Sequence, residues 1–162
     1  MSEIRNSQII RYNHHMPNLA ENRKARFDFE ILDTYEAGIA LTGPEVKSAR
    51  EGKIQLGGSH VLLKPKGAFL FNAIIQSYQP NNPTASLDPS RTRQLLITKK
   101  ELNSLLLKVK ERGLTVIPLS IYTKGRRVKL SIALAKHKKA HDKREAIRKR
   151  ETSREMRRTL KN

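Results

Sequence analysis

Residues 98–135 read TKKELNSLLLKVKERGLTVIPLSIYTKGRRVKLSIALA, a capped helix followed by two strands, and this stretch decides the fold class. Thr98 stands three residues before Glu101, the spacing of a reciprocal capping box. Leu102, Leu105, Leu106 and Val109 then fall at i, i+3, i+4 and i+7, giving one apolar helical face that Gly113 terminates. Leu114 to Tyr122 is rich in β-branched and aromatic residues, and Pro118 inside it marks an edge or a bulge. Lys124-Gly125-Arg126 turns the chain into Arg127 to Ala135, where Val128, Leu130, Ile132 and Leu134 share one face and Arg127 and Lys129 the other.

Working back from the helix, Gln79 to Ser90 carries three prolines and two asparagines and reads as a long surface loop. Ser59 to Lys64 and Ala68 to Ser77 flank Pro65-Lys66-Gly67, the pattern of a hairpin, and Gly57-Gly58 breaks the chain before it. Thr42-Gly43-Pro44-Glu45 is a second capping box with proline in the first turn, so a short helix is expected to about Arg50, stopped by Gly52. Phe27, Phe29 and Ile31 alternate with Asp28 and Glu30 as a half-buried strand does, and Ile39 to Leu41 reads as a second strand after Gly38. Asn18 to Arg26 is a basic lead-in, preceded by a loose extension over residues 1–17. The order strand, strand, hairpin, helix, strand, strand is that of a mainly β fold with helices, an OB-fold-like Greek-key barrel spanning 18–135.

Working forward, residues 136–162 hold twelve Lys or Arg against four Asp or Glu, supplying +8 of the chain's net +18. Apart from alanine, their apolar residues are Ile147, Met156 and Leu160, which make no continuous stripe. Helix formers fill the segment, and Asp142 followed by Glu145 suggests a cap at Asp142. Like charges at Arg144/Arg148 and Arg150/Arg154 oppose the helix. The expected behaviour is a basic tail, disordered when free and helical once a polyanion neutralises it.

Charge and composition narrow the function. A pI near 10.6 puts a polyanion first among partners. The tail lacks the Trp, Phe and Leu face of an interfacial helix, which favours nucleic acid over a membrane. With no cysteine there is no disulfide framework, thiolate metal site or Cys nucleophile, in keeping with a cytoplasmic protein. His14 and His15 are adjacent in the N-terminal arm and His60 lies in a strand, without a second ligand at metal spacing; no glycine-rich phosphate loop is present, and Ser59 and His60 are strand neighbours on opposite faces. An enzyme is the weaker class, and neither a metal nor a cofactor is expected. A ribosomal protein and an RNA-modifying enzyme are the other classes this pattern leaves open. Glu36 ordinarily would only balance charge; its functional alternative is to accept from base amino groups, which Lys and Arg cannot do.

The strings NRKAR (22–26), YEAGIALTGPEVKSAREGK (35–53), DPSRTRQLL (88–96), GLTVIPLSIY (113–122), VKLSIALAK (128–136) and HKKAHDKRE (137–145) together resemble the SsrA-binding protein (small protein B) family, over about Asn22 to Arg150. That resemblance implies an OB-fold body that binds transfer-messenger RNA as a monomer, one to one, and delivers it to stalled ribosomes for trans-translation. It implies RNA contacts at Glu36, Arg50, Leu96 and Lys129. It further implies a ribosome-facing tail through Lys136, Lys138, Lys139, His141, Asp142, Lys143 and Arg144, lying in the empty messenger channel near the decoding region of the small-subunit RNA, with His141 stacking on a base. The chain departs from the family pattern at His137, where glycine is usual, at Phe27, where histidine is common, and at Thr98, where asparagine or histidine is frequent.

Overall fold

The structure is a computed structural model that describes residues 18–76, 78, 88–110 and 113–159. Within it the elements run β1 (Asn18–Glu21), α1 (Arg23–Asp28), β2 (Phe29–Ile39), α2 (Gly43–Arg50), β3 (Ile54–Gln55), β4 (His60–Lys64) and β5 (Gly67–Phe71). They continue with β6 (Ile74–Ile75), β7 (Arg93–Leu96), α3 (Lys99–Val109), β8 (Leu114–Lys124), β9 (Arg127–His137) and α4 (Ala140–Thr159). Seven strands form one antiparallel sheet in the order β1-β8-β9-β2-β7-β5-β4, and β3 pairs with β6 beside it. The two end regions of the sheet approach each other where β4 lies against β8, so the sheet curls around its core. The architecture is mainly β with a few helices.

Both capping boxes form. Thr42 Oγ1 accepts from the Glu45 amide while Glu45 returns a bond to the Thr42 amide at 2.9 Å, and Thr98 and Glu101 repeat the arrangement at α3. α3 buries Leu102 and Leu105, with Leu106 and Val109 packed at the margin of the same core. That core is filled by alternate residues of the sheet, among them Val61, Leu70, Leu95, Ile121, Leu130 and Ile132. The expected bulge at Pro118 is present: the β8–β9 register shifts between Pro118 and Ser120. The β8–β9 hairpin closes through Gly125, whose φ of +60° suits glycine.

Several local expectations are corrected. Phe27 lies in a helix, not a strand: Asn22 caps α1 by accepting from the Ala25 amide at 3.1 Å, and Asn22 is itself buried, donating from Nδ2 to the Pro118 carbonyl. The alternation of aromatic and acidic residues at 27–31 therefore straddles a helix end. α1 covers a second, smaller core in which Ala25 meets Ile117, Leu119, Ala133 and Ala135. β2 is one strand of eleven residues, not two; Gly38 continues it, because both of its neighbouring strands supply ladder partners. β5 stops at Phe71, because Asn72 takes a left-handed φ of +55°, and Ile74–Ile75 pairs instead with β3. The expected strand end at Ser77 lies outside the described residues, as do the extension 1–17 and most of the loop Gln79–Ser90.

β7 was not foreseen, and its central feature is a buried arginine. Arg93 is 0 % exposed, and it donates to Glu45 at 3.0 Å and to the carbonyls of Ala73, Arg91 and Pro89. Arg91 completes the cluster with a bond from Nε to Glu45 at 2.8 Å. Burial would raise the Glu45 carboxyl, but Arg91, the Thr42 amide and the Arg93 charge together hold it below the ordinary glutamate range. One carboxylate thus caps α2 and ties it to β7 and to the chain returning at 88–91.

β9 runs two residues beyond Ala135, and His137 ends it in pairing with Phe29. Its backbone is not left-handed, so the strand end does not require glycine; the His137 ring packs edge-on against Phe29 at 5.0 Å. α4 begins at Ala140, two residues before the expected cap. Asp142 therefore sits inside the first turn and accepts from the Lys139 amide at 3.1 Å. Every residue of α4 whose side chain is described is exposed.

Candidate RNA-binding face

The ladder registers bring distant residues into one row. Leu96 of β7 pairs with Gly38 of β2, Gly38 pairs on its other side with Lys129 of β9, and Lys129 pairs with Tyr122 of β8. Residues directly opposite in antiparallel strands share a face, and the intervening residues Leu95, Ile39, Ala37, Leu130 and Ile121 point into the core. The row therefore lies on the outer face, and Glu36, two residues before Gly38, lies on it too.

At one end of the row Leu96 is 58 % exposed, an apolar side chain held out of the core by strict alternation. Gly38 leaves the centre bare: a Cβ there would sit 3.1 Å from the Leu96 Cβ, so any larger residue would displace Leu96. At the other end Glu36 accepts from the Tyr122 hydroxyl at 2.7 Å and from Lys124 Nζ at 3.1 Å, with Lys129 Nζ 3.6 Å away. The Tyr122 hydrogen bond, then the lysine bonds and charges, outweigh partial burial and lower the Glu36 pKa. Its charge fixes two cations on the face. Arg50, at the end of α2, donates to the Arg126 carbonyl at 3.0 Å in the β8–β9 turn, which places it beside the same edge.

The structure thus brings Glu36, Leu96 and Lys129 together and sets Arg50 at their border. Sequence reasoning missed Gly38, Tyr122, Lys124 and Arg126. Tyr122 and Lys124 carried a signal, being polar-ended residues two apart on the outward period of β8, but spacing alone cannot show that they meet Glu36.

The tail residues form a separate group. Lys136, opposite Glu30 and Leu114, is exposed near the end of β9. It lies seven positions along β9 from Lys129, about 23 Å of strand. Lys138 is held to α1: its amide donates to the Asp28 carbonyl at 2.9 Å and its Nζ to the Arg26 carbonyl at 3.2 Å, a cation at a helix C-terminus. Lys139 precedes α4, Asp142 and Arg144 are exposed in its first turns, and His141 and Lys143 belong to those turns with side chains outside the described part. Among the described residues no three metal-ligating side chains gather, and no helix is long and apolar enough to cross a membrane.

A curled antiparallel sheet with a cationic, partly apolar outer face and a basic helix beyond it defines a class of small, basic, mainly β proteins. Residues 19–162 match the family model for the SmpB protein, and the chain belongs to that family. It is 48 % identical over 143 residues to the SsrA-binding protein of Gloeothece citriformis, covering 88 % of this chain and 92 % of the relative. The SsrA-binding protein of Mesoplasma florum is 47 % identical over 143 residues, 88 % and 96 % of the two chains. A solved chain from "tmRNA-SmpB: a journey to the center of the bacterial ribosome" is 47 % identical, with a TM-score of 0.65 over 80 % of this chain and 94 % of that one.

Proposed function

We propose that this protein binds transfer-messenger RNA and delivers it to stalled ribosomes for trans-translation, acting in the cytoplasm as an RNA-binding factor rather than an enzyme, one copy to one RNA. The observation that carries the reading is the meeting of Glu36, Leu96 and Lys129 on one outer face of a protein of net charge +18. Family membership supports it, and so do the relatives' names, which specify SsrA binding. In this reading Lys129 and Arg50 meet phosphates, Leu96 packs on an unstacked base or sugar, and Glu36 accepts from base amino groups. The curled sheet is an OB-type barrel, consistent with β4 lying against β8.

The tail acts in a second step. With its described side chains exposed and like charges spaced four apart, α4 has little to hold it in free solution. Ribosomal RNA phosphates supply the neutralisation that keeps it helical, so the tail orders as it enters the messenger channel, with Lys139, His141, Asp142, Lys143 and Arg144 leading. The experiment is to purify the full-length protein from its host at low salt and sequence the bound RNA. One dominant, alanine-accepting RNA carrying a short reading frame is expected; ordinary ribosomal RNA alone would overturn the reading.

A further inference from the structure

The β4–β5 hairpin is unusual on its outer side. Val61, Ala68 and Leu70 point inward and are buried, which turns His60, Leu62 and Lys64 outward on β4 and Phe69 and Phe71 outward on β5. A half-buried antiparallel strand ordinarily shows polar residues to solvent; here Leu62 is 41 % exposed and both phenylalanine rings are partly exposed. The rings are also arranged. His60 stacks nearly parallel on Phe71, with centroids 5.5 Å apart and planes 13° from parallel, and Lys64 Nζ lies 5.6 Å from the centre of the Phe69 ring.

We propose that this hairpin face is a second contact surface for the bound RNA, one that stacks unpaired nucleotides. The argument rests on the RNA-binding reading above and extends it along the sheet. Phe69 pairs with Gln94, and Leu96 lies two residues further along the same strand on the same face. The hairpin is therefore continuous with the Leu96–Gly38–Lys129 row. Flat rings with a cation beside them fit single-stranded RNA, whose bases each offer a face to stack while Lys64 and Lys66 meet the backbone. The strong positive charge the rest of the molecule carries favours a polyanion over a protein surface of mixed charge.

The chain contains no tryptophan, so His60→Trp places a single reporter in the stack. The test titrates full-length His60→Trp with transfer-messenger RNA, following tryptophan emission and affinity together, and measures affinity for wild type, His60→Ala and His60→Tyr. Quenching at saturation is expected, with affinity of His60→Ala lower by about fivefold or more. Its salt slope should match wild type, and His60→Tyr should restore binding. Thermal unfolding of each variant guards against a merely structural loss. Unquenched tryptophan at full RNA occupancy, or wild-type affinity in His60→Ala, would overturn this surface and leave the proposed function standing. Failure of the wild-type protein to bind the RNA would overturn both.

Discussion

Glu36 has a tyrosine hydroxyl and two lysines around its two oxygens, and its role follows from that crowding. In the proposed reading it anchors Lys124 and Lys129 while offering a carboxylate to bases, so its loss should differ in kind from the loss of a phosphate contact. Lys129→Ala is expected to lower the slope of log affinity against log salt by about one contact, whereas Glu36→Ala weakens binding with the slope little changed. Tighter binding by Glu36→Ala in a filter or anisotropy titration would count against base reading. The Glu36 pKa is lowered from 4.5, so the carboxylate stays ionised as pH falls to that value, and affinity is expected to be independent of its protonation above about pH 5. Gly38 provides a sharper residue-scale test. In Gly38→Val the exposed Leu96 must give by a few tenths of an ångström, so RNA affinity should fall while stability changes by less than about 1 kcal/mol. Chemical denaturation and RNA titration on the same preparation separate the two effects.

At the scale of elements, the buried Glu45–Arg91–Arg93 cluster joins α2, β7 and the returning loop. Glu45→Gln leaves Arg93 buried without its counter-charge, and the expected cost is about 3–5 kcal/mol, read from denaturant unfolding. The pKa of Glu45 is lowered from 4.5 on folding. Its contribution is thus fully present above that ordinary value and is lost as pH falls through the lower folded value, so acid unfolding of the wild type should begin below pH 4.5. Elements whose cause is local were legible in the sequence: two capping boxes marked α2 and α3, β-branched and aromatic composition marked β8, and period-two alternation marked β9. What escaped depends on partners far along the chain. α1 rests on Asn22 bonding to the Pro118 and Leu119 carbonyls, and β7 hides behind an arginine whose burial no local pattern announces. The candidate site was legible in its residues through family resemblance, but not in its geometry, since only the registers reveal that Leu96, Gly38 and Lys129 adjoin.

For the whole molecule, the proposed function assigns two tasks to two parts. The body carries +10 of the net charge and the sheet face, so RNA affinity should fall about a thousandfold between 50 and 200 mM salt if about six phosphates are engaged. The tail leaves the body just after Lys138, whose contacts to Asp28 and Arg26 belong to the folded unit. A truncation that keeps Lys138 should therefore unfold at the wild-type temperature, while one that removes it should lose the clamp on α1. The most direct measurement is peptide tagging on ribosomes stalled at the end of a message lacking a stop codon, using protein that ends at Lys138 and is saturated with transfer-messenger RNA. The account predicts that tagging disappears although the RNA remains bound; tagging that persists at the full-length rate would contradict it.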